Sequence, residues 1–189
     1  ILRHAKVSLG SDDNKLKFVL LGDPALRLAY PDNTYQVNIS EVNSKDASGD
    51  DIWLKALSEV EIKGEIIDNE GFIINNFNGI LESTVFDSKQ ELQTRGNQRD
   101  GTPNTGLQRS YFDYTNKIYN GKTPISNGEF ILKFTVPKDI LYEDYYGKMS
   151  FYAYDDQNGF EAQGSYQNYI VGKMDEGAQE ENNPPVIDK

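Results

Sequence analysis

His4 is the only imidazole in the chain, and so the only side chain whose ordinary pKa lies near neutrality. A general base needs a nucleophile to activate, and none is in view: the 189 residues contain no Cys, and no Ser stands in a nucleophile motif. The missing Cys also removes thiolate metal sites, a disulfide framework and redox chemistry. Carboxylates adjoin at Asp12/Asp13, Asp50/Asp51 and Asp155/Asp156. Sequence neighbours on loops or strands point apart, and with 30 acidic residues some adjacency needs no function, so acid–base catalysis is not expected of them.

Asp155-Asp156-Gln157-Asn158-Gly159 with Glu161 is the best calcium candidate, because hard oxygen ligands around a Gly turn are what Ca²⁺ requires. The run lacks the alternating acidic spacing and distal bidentate Glu of a twelve-residue calcium loop, so a plain hairpin turn is the expected reading. Tyr142, Tyr145, Tyr146, Tyr152 and Tyr154 could stack on sugars, but Tyr is also the usual residue of strands and their rims. Trp53, between Ile52 and Leu54, is expected as a core anchor. No catalytic residue, metal ligand or cofactor-binding residue is therefore assigned, and no cofactor is expected.

Charge narrows the partners. Lys and Arg number 19 against 30 Asp and Glu, a net charge of −11, and no basic cluster is visible along the sequence. Phosphate backbones and anionic membranes are repelled by such a chain, so neither nucleic acid nor a membrane surface is an expected partner. No apolar run approaches the roughly 20 residues that span a bilayer. With 12 Tyr and 9 Phe the composition is far from the aromatic-poor make-up of disordered chains. The opening at Ile1, without Met or a cleavable signal, is expected of a piece cut from a longer chain, and the Tyr, Asn, Asp and Gly richness of an exported β-protein.

These residues need elements to hold them. Ile1, Leu2, Ala5 and Leu9 share one helical face ahead of Gly10, then Phe18-Val-Leu-Leu21 reads as a buried strand, and Gly22-Asp23-Pro24 as a turn. Helix, strand and turn in that order look like the last piece of an α/β layer. After Pro31 the period becomes two: Tyr35, Val37 and Ile39; Val60, Ile62 and Ile66; Phe130, Leu132, Phe134 and Val136. Weaker strand candidates are 79–86, 111–118, 149–155 and 165–171. Asp68-Asn-Glu-Gly71, Asn120-Gly121, Asn127-Gly128 and Asn158-Gly159 read as the turns between them. About seven short strands predict an antiparallel sandwich, most simply of immunoglobulin type, although that fold's Cys–Trp–Cys signature is missing. Residues 94–110 read as a long solvated loop, and 175–189, acidic with Pro184-Pro185, as a linker toward a further domain.

The run from Phe18-Val-Leu-Leu-Gly-Asp-Pro-Ala-Leu through Arg27-Leu-Ala-Tyr-Pro31 resembles the closing segment of the catalytic domain in gingipain-type cysteine peptidases, closest to the type IX secretion sortases. The likeness continues in order through Phe77-Asn-Gly79, Thr84-Val-Phe-Asp87, Asn127-Gly-Glu-Phe130, Phe134-Thr-Val-Pro-Lys-Asp-Ile140, Gly147-Lys148, Tyr152-Ala-Tyr154, Glu161-Ala-Gln-Gly164 and Asn168-Tyr-Ile-Val-Gly172. The resemblance implies a caspase-like α/β peptidase domain ending at about residue 30, an immunoglobulin-like β-sandwich over 31–174, and an acidic linker over 175–189. It implies a parent at the outer membrane of Bacteroidetes that removes C-terminal signals from exported cargo and transfers the cargo to anionic lipopolysaccharide. The family's catalytic Cys and His lie upstream, so none is carried onto this chain. The expectation is thus a mainly β, non-catalytic structural and interaction module at the cell surface. Its expected partners are the upstream peptidase domain, secreted cargo and other secretion-system proteins. A free-standing carbohydrate- or protein-binding sandwich is the alternative.

Overall fold

The computed structural model describes residues 34–44, 51–96, 108–175 and 177. The chain divides into two units, Ile1–Tyr30 and Pro31–Lys189. The expected terminal helix, the strand at Phe18, His4 and the Asp12/Asp13 pair fall outside the described residues, as do 97–107 of the expected loop and most of the expected linker.

Every described element is a strand: β1 (Tyr35–Ser44), β2 (Trp53–Ala56), β3 (Glu59–Asp68), β4 (Gly79–Phe86), β5 (Gln90–Gln93), β6 (Ser110–Asp113), β7 (Lys117–Ile125), β8 (Glu129–Thr135), β9 (Tyr145–Tyr146), β10 (Lys148–Asp155), β11 (Phe160–Tyr166) and β12 (Ile170–Met174). The protein is mainly β, as its period-two patterning predicts. Seven strands form one sheet in the order β7-β4-β10-β11-β1-β3-β8. Its pairings are antiparallel except β1 with β11, which run parallel at Tyr35↔Ala162 and Gln36↔Gln163 before a bulge between Ile39 and Glu41. The two outermost strands, β7 and β8, are consecutive in the chain. Asn127 (φ 52°) and Gly128 (φ 79°) turn between them in the left-handed pair that tight hairpins favour. The sheet therefore curls until its ends meet, giving a sandwich-like, nearly closed arrangement.

Alternation decides which side chains fill it. Val60, Ile62 and Ile66 of β3, Phe130, Leu132 and Phe134 of β8, and Met149, Phe151 and Ala153 of β10 all point inward and are buried. Their outward neighbours pair in water: Lys63 with Glu41 at 2.8 Å, Lys133 with Glu61 at 2.6 Å and Lys122 with Glu82 at 2.7 Å. Exposed pairs of this kind help fix register and add little stability.

A second sheet, β2-β12-β9, pairs β12 parallel to β2. Trp53 departs from its expected role. In β2 it is Leu54 and Ala56 that are fully buried, while half-buried Trp53 faces out with the Lys173 Nζ 3.7 Å from its ring centroid. Strand geometry sends alternate residues to opposite faces, so the smaller side chains hold the core positions.

Between β11 and β12 sits Tyr169, almost fully buried, its hydroxyl donating to the Phe86 carbonyl at 2.8 Å and its ring stacked on Tyr166. Burial, with Tyr114 and Asp87 nearby, pushes that hydroxyl far above the usual tyrosine pKa. The ring fits because residue 147 is Gly: a Cβ there would stand 2.5 Å from Tyr169 Cε2. Gly147→Ala should accordingly cost about 1–3 kcal/mol through overpacking, measured by chemical denaturation. An unchanged midpoint would mean that the ring moves aside freely.

Three sequence expectations fall differently in the fold. The 111–118 candidate is the end of β6 and the start of β7, parted at 114–116 where Tyr114 N–H donates to the Asp113 carboxylate at 2.8 Å. Asn120-Gly121 is no turn but the middle of β7, opposite Thr84 and Ser83 of β4. At Gly121 a Cβ would meet only the tip of the Tyr119 side chain, at 2.2 Å from its hydroxyl. The 165–171 candidate spans the end of β11, an irregular stretch and the start of β12.

Candidate functional site

Asp155 closes β10 with its carboxylate inside the fold, 1% exposed. Oδ1 accepts the backbone N–H groups of Gln157 (2.9 Å) and Asn158 (3.2 Å). Oδ2 accepts the backbone N–H of Asn78 (3.0 Å) and the side-chain amide of Asn158 (2.7 Å). That amide also donates to the Asn76 carbonyl at 3.1 Å. Burial pushes the Asp155 carboxyl up, but the four donors outweigh it and hold the group below its ordinary value. A cation here would have to displace those N–H groups, and Glu161 is engaged by the Tyr152 hydroxyl at 2.8 Å. The calcium candidate is thus a staple between the β10–β11 turn and the segment entering β4. Among the described residues no group of three His, Cys, Asp or Glu could hold a metal.

The five tyrosines do not form one platform. Tyr145 and Tyr146 meet edge to face at 6.0 Å, and Tyr152 and Tyr154 lie 6.0 Å apart along β10. Tyr142 is exposed and donates its hydroxyl to the Lys138 carbonyl at 2.7 Å. Asp51 is exposed, and its neighbour Asp50 lies outside the described residues.

Local sequence signals marked only 111–113 of an arm formed by β5 and β6. These two strands pair only with each other, from Gln90↔Asp113 to Gln93↔Ser110. Thr94 extends the ladder, donating to the Arg109 carbonyl at 2.9 Å and accepting its N–H on Oγ1 at 2.9 Å. All four residues of β6 are exposed, including Tyr111 at 45% and Phe112 at 67%. An isolated two-stranded ribbon is marginal in water unless something anchors it. The anchor is Asp87, completely buried at the end of β4. Its Oδ1 accepts Ser88 N–H at 2.7 Å, and its Oδ2 accepts the Asn116 amide at 3.0 Å and Leu141 N–H at 2.8 Å. One carboxylate thereby ties together both roots of the arm and the segment before β9. Nothing in the local pattern around Asp87 announced this, since its partners lie up to 54 residues away.

The arrangement offers no nucleophile–base pair among the described residues. It offers a buried-core sandwich, an anchored arm and exposed aromatic side chains. No protein-family model matches the chain, and neither does any curated protein. The crystal structure of dimeric latent PorU from Porphyromonas gingivalis is similar, with 29% sequence identity and a TM-score of 0.62 over 93% of this chain. At the level of fold this chain is PorU-like. It corresponds to 16% of the PorU chain, so the likeness concerns one stretch of a much larger molecule. Spo0M, a sporulation control protein from Bacillus subtilis, aligns over 75% of this chain and 51% of its own at 13% identity and a TM-score of 0.37, too distant to bear on the fold.

Proposed function

We propose that the chain is a non-catalytic interaction module of a PorU-like cell-surface protein, in which the sandwich acts as scaffold and the arm as contact element. The observation that carries the reading is the similarity to PorU along nearly the whole chain, joined to a composition without Cys, the nucleophile of a gingipain-type peptidase. The strand order supports an immunoglobulin-type sandwich. Read as C′, C, F, G, A, B and E, the order β7-β4-β10-β11-β1-β3-β8 is that of such a domain, with the first strand bridging both sheets. On this reading residues 1–30 end a peptidase domain and 175–189 lead to the next one. The parent works at the outer membrane in type IX secretion, and the module's partners are the parent's peptidase domain, cargo and other secretion components.

The test is an assay of the purified chain against signal-domain peptides and Arg- or Lys-directed substrates, which should show no turnover above buffer. Turnover that survives repurification and disappears in His4→Ala would overturn the reading. For the arm, Tyr111→Ser with Phe112→Ser should leave stability within about 0.5 kcal/mol, because both rings are exposed and neither belongs to the buried core among the described residues. A loss above about 2 kcal/mol in the same denaturation experiment would place them in an internal contact instead.

A further inference from the structure

Lys63, Lys122 and Lys133, on the outer faces of β3, β7 and β8, each form an ion pair with a glutamate. Lys89, Lys117 and Lys148 take part in none of the ion pairs among the described residues, although acidic residues far outnumber basic ones in the chain. The fold nevertheless gathers these three around one aromatic floor. Lys148 of β10, Phe86 of β4 and Lys117 of β7 stand in a single cross-strand row, so their side chains leave the same face of the sheet. Two strand spacings put the Lys117 and Lys148 backbones about 9.6 Å apart, within joint reach of their long side chains. Tyr114 packs beside Phe86 at 6.1 Å. The ammonium groups of Lys89 and Lys148 lie 5.2 and 6.0 Å from that same Tyr114 ring. Two neighbouring carboxylates, Asp113 and Asp87, accept hydrogen bonds from backbone N–H groups and an amide.

We infer that Lys89, Lys117 and Lys148, over Phe86 and Tyr114, form a binding site for a phosphate group. Three ammonium groups held near one another and engaged by no ion pair among the described residues repel, and an anion seated among them relieves that repulsion. The chemistry of the donors favours phosphate over carboxylate. Each ammonium is a compact point charge with rotatable donors, suited to oxygens spread over a tetrahedron, whereas planar carboxylates are matched best by the fork of Arg, which the site lacks. The negative face of the Tyr114 ring attracts the Lys89 and Lys148 ammonium groups and so holds the two charges on one spot. The site stands on these residues alone and does not depend on the arm being a contact element.

Pyrophosphate titration of the 189-residue chain, followed by amide chemical shifts, tests this directly. Saturable shifts should concentrate at Lys89, Tyr114, Lys117 and Lys148. Citrate, a tricarboxylate of comparable charge, should bind more weakly. Raising salt from about 0.05 M to about 0.5 M should weaken binding by screening. Lys89→Gln with Lys148→Gln should weaken pyrophosphate binding at least about tenfold while leaving the thermal midpoint in place, the loss expected from removing charge-assisted hydrogen bonds. Lys133→Gln, on the other face, should leave binding unchanged. The inference fails if shifts do not saturate, if citrate binds as well as pyrophosphate, or if Lys133→Gln matters as much as the double variant.

Discussion

Asp155→Ala should destabilise the protein by about 2 kcal/mol, because it strips four part-buried N–H groups of their acceptor at once, and a donor left unpaired costs about 1–3 kcal/mol where water does not reach it. Chemical denaturation at neutral pH measures the loss, and a change below about 1 kcal/mol would mean that water replaces the carboxylate freely. Asp155→Asn separates the hydrogen bonds from the charge. The amide keeps an acceptor for Gln157 and Asn158 but turns an NH₂ toward the Asn78 N–H, so an intermediate cost is expected. The dependence on pH has a definite sign. The folded carboxyl is held below its ordinary value, so its contribution is complete above the unfolded pKa of about 3.9 and is lost as pH falls through the lower folded value. The stability gap between the native protein and Asp155→Asn should therefore be constant from neutrality to about pH 4.5 and shrink below about pH 4. A gap that stays constant on acidification would refute the assigned role of the charge.

Asp87→Ala should cost about 3 kcal/mol through the loss of its hydrogen bonds to Ser88, Asn116 and Leu141 in a fully buried position. The two losses differ in where they appear. Asp155 staples turns at one end of the sandwich, whereas Asp87 fixes the roots of the arm and the segment before β9. Amide hydrogen exchange in the Asp87 variant should rise at 88–94, 109–116 and 138–142 while β3, β8 and β10 stay protected, as expected of a sub-global opening. Uniform acceleration across all strands would show that Asp87 supports the whole fold and not the arm in particular. Asp87→Asn, which retains an acceptor, should recover part of the stability and most of the local protection.

The strands with strict period-two patterning were legible in the sequence: Tyr35, Val37 and Ile39, Val60, Ile62 and Ile66, and the Phe130 to Val136 run all lie in or beside strands, and 79–86 coincides with β4. Alternation is a local property, written into each segment by the need to bury one face, so it survives without tertiary knowledge. The turn at Asn127-Gly128 was legible for the same kind of reason, since two left-handed residues in succession are a backbone requirement that few side chains meet.

Asn120-Gly121 carries the same local signal and was decided the other way, because both residues pair with Thr84 and Ser83 of β4. Trp53 was moved out of the core by the phase of its strand, which only the pairing of β2 with β12 sets. Asp155 reads as part of a calcium candidate or a plain hairpin turn, and Asp87 draws no structural role, until partners as far as 77 and 54 residues away close around them. The lysines show the limit most plainly. Along the sequence there is no basic cluster, yet Lys89 and Lys148 meet over Tyr114 and Lys117 stands in the row of Phe86 and Lys148, because β7, β4 and β10 are neighbours in the sheet but not in the chain. Composition and periodicity determined a mainly β chain without a thiol nucleophile. Which polar groups are buried, which aromatics are offered and which charges converge were decided by strand order, because those properties depend on contacts between segments that no local pattern encodes.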